Sequence, residues 1–255
     1  MQVSGKTAVI TGGASGLGEA AARHLYSLGA NIVIADLNDE RGQQLKSELG
    51  HKAIYVKTDV SSSEASRALG QAAVDKFGAV HILVNSAGIG TIARIIGKKG
   101  PMDVNIFKKT IDVNLVGTFN CMSNLAWEMS KNETVENGER GVIINVASIA
   151  GFEGQIGQIA YAASKAGIIG MTITAARDLS SHGIRVCTIA PGTFLTPMIG
   201  LLSEEVRESL GKQVPFPPRL GKVSEFAALV QHIVENAYLN GETIRLDGAI
   251  RMGIR

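Results

Sequence analysis

The stretch "TAVITGGASGLGEAAARHLYSLGANIVIAD" (residues 7–36) decides the fold. "TAVIT" (7–11) is short, apolar and β-branched, the composition of a buried strand. "GLGEAAARHLYSLG" (16–29) has helical spacing of its apolar residues and stops at Gly29. "NIVIAD" (31–36) reads as a second strand. A strand, a glycine-rich turn, a helix and a second strand form a right-handed β-α-β crossover, so the two strands run parallel.

The same alternation continues to the end of the chain. Strands are expected at 53–59, 80–88, 141–148, 184–192 and 242–248, and helices around 39–49, 62–77, 104–130, 157–181 and 223–236. The strands are rich in Val, Ile and Ala with few charges, as strands covered on both faces are. The expected fold class is α/β: a doubly wound, mostly parallel sheet of Rossmann type, an α-β-α sandwich in one domain over 1–255. Three stretches break the rhythm: 89–102, 131–140 and 193–222. "KNETVENGER" (131–140) is polar and reads as a solvated loop. The other two follow strand ends, where open parallel sheets bind ligands, and are the expected walls of a site.

Composition narrows the function classes. With 45% hydrophobic and 19% charged residues, the 255-residue chain is ordinary globular protein. A net charge of +2 with only short basic pairs, Lys98-Lys99 and Lys108-Lys109, argues against a nucleic-acid binder. Cys121 and Cys187 fall in apolar or helical patterns without ligand spacing, so neither a metal site nor a disulfide is expected. No secretory leader and no membrane-length apolar stretch is read, and the expected compartment is the cytoplasm.

The turn "TGGASGLG" (11–18) sits between strand and helix. Gly12, Gly16 and Gly18 let the backbone approach a ligand, and the helix that follows presents unpaired N–H groups to a phosphate. Ser15 and Leu17 lie in the same turn. Asp36 ends the second strand, eighteen residues beyond Gly18. A carboxylate there accepts hydrogen bonds from the adenosine ribose and repels a 2′-phosphate, which favours NAD over NADP. Leu37, Asn38 and Asp39 bring no compensating cation, and Arg41 arrives late.

With these motifs the chain resembles the short-chain dehydrogenase/reductase family over essentially its whole length. The resemblance rests on "TGGASGLG", Asp59-Val60, "NSAG" (85–88), Asn114 in "DVNLVGTF", Ser148, "YAASK" (161–165) and "PGTFLTP" (191–197). "NSAG" departs from the usual second Asn, and Ala249 in "LDGA" replaces a common Gly. The resemblance implies that Asp59, Val60, Asn85, Ala87, Gly88, Pro191, Gly192, Thr193 and Thr196 also meet the cofactor. Within the family it sharpens over 140–172, 213–221 and 239–252 towards members that oxidise short-chain 3-hydroxyacyl-CoA thioesters, including 2-methyl-branched ones. Those members imply NAD as cofactor, an acyl-CoA as substrate and a homotetramer.

Tyr161 and Lys165 are four apart on a helix and therefore neighbours. An ammonium beside a phenol favours the phenolate, so Lys165 is expected to lower the pKa of Tyr161. Tyr161 is then the base for alcohol oxidation, Ser148 holds the substrate oxygen, and Lys165 bonds the nicotinamide ribose. By resemblance, Asn114 holds a water that relays protons from Lys165. Ala160, Ala163, Gly167 and Gly170 permit close packing, either on the sheet or across a dimer interface. On the substrate side, Gln155 is a candidate for the acyl oxygen, and Phe194 and Leu195 belong to an apolar loop able to close over the substrate. Arg94, Lys98 and Lys99, in the insert "GTIARIIGKKGPM" (90–102), are candidates for coenzyme A phosphates. Two alternatives stay open: the same chemistry on a hydroxysteroid, secondary alcohol or acyl-carrier-protein thioester, and a non-catalytic NAD-binding sensor or scaffold.

Overall fold

The computed structural model describes residues 1–98, 100–200 and 203–254. In chain order, β1 (Thr7–Thr11), α1 (Gly16–Ser27), β2 (Asn31–Asp36), α2 (Asp39–Leu49), β3 (Ala53–Lys57), α3 (Ser63–Phe77) and β4 (Ile82–Asn85) form the first half. The insert forms a two-stranded ribbon, β5 (Ile96–Gly97) and β6 (Gly100–Pro101). Then follow α4 (Val104–Ile111), α5 (Gly117–Met129), β7 (Gly141–Val146), α6 (Ile159–Asp178), β8 (Ile184–Pro191), α7 (Pro197–Gly200), α8 (Glu204–Lys212), α9 (Val223–Glu235) and β9 (Thr243–Leu246).

The main sheet has seven strands in the order β3-β2-β1-β4-β7-β8-β9, every pair parallel. Successive strand residues point to opposite faces, and each face buries its own core. Ile10, Ile32 and Ile34 pack with Leu25 of α1 and Phe226 and Val230 of α9. Val9, Val33 and Leu83 pack with Leu69 of α3 and Leu125 and Met129 of α5. The chain order reverses between β1 and β4. In register there, Thr11 faces Ala35 on one side and Asn85 on the other, and Asn85 faces Asn145. This carboxyl edge is where a crevice opens in such sheets.

The structure departs from the expected elements in four places. The fourth strand ends at Asn85 instead of running to residue 88, because the Ala87 N–H turns to the Thr11 hydroxyl (3.2 Å). The long helix expected over 104–130 is interrupted by a π turn at Asp112–Val116. Such single widened turns recur at functional sites. The 131–140 loop is not wholly solvated: Glu139 is buried and accepts from Arg185 Nε (2.8 Å), whose guanidinium also donates to the carbonyls of Ile233, Val234 and Leu239. A buried charge is tolerated only when paired and bonded in this way. Finally, α6 is long and apolar enough to cross a membrane by length and composition. It packs through Ile168 and Thr172 against the sheet, where Thr172 and Thr188 of β8 share a 2.6 Å hydroxyl contact.

Candidate active site

The glycine turn is shaped by close approach. Gly12 has φ +62°, and a Cβ there would lie 2.9 Å from the Ala87 backbone; one on Gly18 would lie 2.3 Å from the Gly12 carbonyl oxygen. Only glycines fit both positions. Ser15 precedes α1 in an extended conformation and its side chain makes no capping bond, which leaves the N–H groups of the first turn to a ligand. Leu17 packs onto the core beneath the turn. Thr196, from the loop after β8, comes within 3.7 Å of a Cβ built on Gly16, so that loop closes over the turn.

Asp36 is held by its neighbours: Oδ2 accepts the Ala14 N–H (3.1 Å) and Oδ1 the Asn38 N–H (3.0 Å). Arg41 and Lys57, on the elements that flank it, are engaged with other carboxylates. Arg41 donates to Glu19 (3.4 Å), and Lys57 pairs with Asp39. Asp59 uses one carboxylate oxygen on the Ser61 N–H and hydroxyl. Val60 is buried against Gly117, and its carbonyl accepts from Asn120 (3.0 Å). The Asn85 side chain turns into the interior, where Nδ2 donates to Asn145 Oδ1 (2.9 Å) and fastens β4 to β7. Ala87 lies against Gly12, and a Cβ on Gly88 would lie 3.5 Å from Lys165 Nζ. Pro191 ends β8. Gly192 is bonded to the Leu246 carbonyl (2.9 Å), and the Thr193 carbonyl accepts from Gly221 (2.9 Å).

Lys165 is 5% exposed, and its Nζ donates to the Val146 carbonyl (2.9 Å) at 5.6 Å from the centre of the Tyr161 ring. The pair thus shares one face of α6, as the spacing requires. Burial pushes the Lys165 ammonium down to about 8. Burial also pushes the Tyr161 phenol up, opposed by the nearby Ser148 side chain. The expected lowering of the phenol is not what the protein alone gives: desolvation outweighs the effect of Ser148. Ser148 follows β7 in an extended conformation, and its hydroxyl accepts the Ala150 N–H (3.1 Å).

Asn114 sits in the π turn, fully buried. Its Oδ1 accepts the Ile89 N–H (2.8 Å), and its Nδ2 donates to the Ile89 carbonyl (3.0 Å) and the Ser164 hydroxyl (3.1 Å). The Asn114 side chain braces the 88–89 turn beside Lys165. Sequence reasoning missed Ser164, Thr11 and the Val146 carbonyl, which hold Asn114, Ala87 and Lys165 in place. Ser164 lies three residues after Tyr161, and that helical spacing was the available signal.

The substrate candidates separate. Phe194 is 6% exposed and its ring packs on Gly221, where a Cβ would lie 2.8 Å away; it is core beneath the loop and not a substrate contact. Leu195 is 46% exposed and free to meet a ligand. Gln155 bonds the Gly253 carbonyl (3.4 Å) and lines a cleft of ≈ 740 Å³ with Arg94, Phe152, Ile159 and Ala163. From α6 that cleft takes Ile159, Ala162, Ala163 and Ala166, and from the segment after Ser148 it takes Ala150, Gly151 and Phe152. Lys98 is exposed, and Lys99 lies outside the described residues. Among the described residues no three His, Cys, Asp or Glu side chains cluster as metal ligands, and both cysteines are buried and free.

The site therefore fits a dinucleotide. It has a turn that admits only glycines at its closest points, a helix start without a side-chain cap, a fixed carboxylate at the next strand end, and a buried lysine at the crevice floor. Comparison with known proteins gives the same direction. The family model described as short chain dehydrogenase matches residues 6–207. The chain is 51% identical to human 3-hydroxyacyl-CoA dehydrogenase type-2, over 98% of this chain and 97% of that protein. It is 49% identical to the Drosophila melanogaster protein of the same name, over 98% and 99%. The crystal structure of 3-hydroxyacyl-CoA dehydrogenase type-2 from Mycobacterium avium superimposes with a TM-score of 0.95 at 48% identity, covering 98% of each chain.

Proposed function

The chain belongs to the short-chain dehydrogenase family and is a dehydrogenase, and from that premise we propose that it interconverts short-chain 3-hydroxyacyl-CoA and 3-oxoacyl-CoA with NAD. The observation that carries the chemistry is the buried Lys165 beside Tyr161, with the Ser148 side chain near enough to oppose the rise of the phenol. The substrate class is supported by relatives of about half-identical sequence that bear that name over their full lengths.

Gly12, Ser15, Gly16, Leu17 and Gly18 would hold the pyrophosphate, and Asp36 the adenosine ribose. Asp59, Val60, Ala87 and Gly88 would flank the middle of the cofactor, with Pro191, Gly192, Thr193 and Thr196 at the nicotinamide end. NAD, when bound, supplies the hydride acceptor. The chain's own groups do the rest. Ser148 Oγ donates to the substrate oxygen and fixes its direction, Tyr161 Oη takes the hydroxyl proton, and Lys165 Nζ stabilises the phenolate that precedes this transfer. Asn114 keeps the 88–89 turn against Lys165. Leu195 and the surrounding loop exclude water. The test is NADH oxidation with acetoacetyl-CoA, with a ketosteroid and NADPH run in parallel. Fast turnover of the CoA ester with NADH is expected; turnover of the steroid alone would replace the substrate assignment and keep the mechanism.

Asp36 sets the cofactor preference in this reading. Loss of its hydrogen bonds to a ribose costs about 1.5–3 kcal/mol, roughly a ten- to 150-fold rise in KM for NAD. The Asp36→Ala enzyme should therefore lose its preference for NAD over NADP, as steady-state kinetics with both cofactors would show. An unchanged ratio refutes the role.

We also infer a homotetramer. Val116 of the π turn, Phe119 and Trp127 of α5 and Ile173 of α6 are exposed, Trp127 at 65%, apolar surface that association would cover. Ala163 and Gly170 of α6 are exposed as well, whereas Ala160 is buried. Sedimentation equilibrium is expected to return four times the 26.8 kDa chain mass, and Trp127→Asp a smaller species. A monomeric parent protein would contradict this.

A further inference from the structure

The residues after β9 are stitched along one side of the segment that carries Ser148. Glu153 binds Arg245 through two parallel bonds (2.8 and 3.2 Å), and its Oε2 also accepts the Met252 N–H (3.1 Å). Arg245 Nε donates to Asp247 (2.7 Å), a buried carboxylate, and its guanidinium lies 5.0 Å over the centre of the Phe152 ring. Further along, the Ile156 N–H reaches the Ile254 carbonyl (3.1 Å). Beneath these contacts Ile149, Val214 and Ile250 form a separate buried apolar knot with Met252 packed against it. Ile149 is the residue after Ser148, and Val214 belongs to the 193–222 loop. Gly248 also bonds that loop, its carbonyl accepting the Phe216 N–H (3.3 Å).

We propose that Glu153 and Arg245 are positioning residues: their ion pair straps the 247–254 segment across residues 149–156 and holds the Ser148 hydroxyl in its working direction. A forked guanidinium–carboxylate pair fixes orientation as well as distance, which a lone charge contact does not. Both partners are partly shielded, and Arg245 is further anchored by Asp247 and by the carbonyl of Ile250 (3.1 Å). Without the strap, the short segment from Ser148 to Phe152 keeps its local turn bonds, the apolar knot and the packing of Gly151 on α6, none of which ties it to the 247–254 segment by a charged, directed contact. Misplacing a group that acts in the transition state lowers kcat without weakening cofactor binding.

This inference rests on the dehydrogenase reading above, so the parent enzyme is assayed first; its failure to turn over acetoacetyl-CoA would strike that reading. With an active parent, Arg245→Met is expected to lower kcat about tenfold and leave the dissociation constant of NADH, measured by fluorescence, within twofold. Arg245→Lys should recover part of the loss. Glu153→Gln, which keeps the volume and one acceptor, should fall between them and serves if Arg245→Met does not fold. The deciding arm is the Ser148→Ala background, where Arg245→Met is expected to cost less than about twofold more, because the hydroxyl it positions is gone. An unchanged kcat, a parallel loss of NADH affinity, or the same tenfold loss in the Ser148→Ala background would overturn the proposal.

Discussion

Replacing Tyr161 by phenylalanine is expected to lower kcat by about 10³-fold while NADH still binds. General acid–base catalysis by one positioned side chain contributes about 10²–10⁴-fold, and this phenol is the only such group on the face of α6 that also carries Lys165. The substitution removes one oxygen and keeps the ring, so the packing of Tyr161 beneath Lys165 Nζ, 5.6 Å from the ring centre, survives. Ser148 would keep its bond from the Ala150 N–H. The loss should therefore appear in kcat, with the dissociation constant of NADH nearly unchanged by fluorescence titration. Near-normal turnover by this variant would remove Tyr161 from the mechanism and, with it, the reason for a lysine on the same face.

That pairing was legible in the sequence because it is local: four residues along one helix place two side chains together whatever the rest of the chain does. The same holds for Gly12 and Gly18 in the first turn and for Asp36 at the end of β2. What escaped is non-local. Asn85 belongs to a recognisable motif, yet the direction of its side chain depends on Asn145, sixty residues on, across a strand pair that sequence spacing does not specify. Phe194 sits in an apolar loop and would suit a substrate; only the return of the chain at Gly221 shows that it packs inward. The π turn around Asn114 has no sequence period of its own, since it differs from the flanking helix by one residue in its bonding. The direction of the Tyr161 shift also escaped. A neighbouring ammonium can be read from spacing, whereas enclosure, which opposes it, comes from the assembled fold.

Lys165→Met should separate these two influences by making the protein more stable and far less active. In the folded chain the ammonium titrates at about 8, against 10.5 ordinarily. A lysine whose folded value lies below its unfolded one costs stability where both states are charged, below pH 8. That cost fades as the pH rises from 8 to 10.5, because the folded state releases its proton first. The gap corresponds to about 3 kcal/mol at neutral pH, at 1.36 kcal/mol for each pH unit. Methionine removes this cost but leaves the Val146 carbonyl without its donor, a loss of about 1–2 kcal/mol. Thermal melts at pH 7 should then show a net gain of about 1–2 kcal/mol. The rise in stability of the parent between pH 8 and 10.5 should be missing from the variant. Activity should move the other way. Without the ammonium, burial acts on the Tyr161 phenol unopposed by any cation of the chain, so the pH at which alcohol oxidation reaches half its maximum should shift upward, and kcat at pH 7 should fall by about 10²-fold. A variant that is less stable at pH 7, or that keeps the parent's pH profile, would show that Lys165 is held for packing alone. The expected combination, higher melting temperature with lost turnover, is what a charge kept in a dry crevice for chemistry must produce.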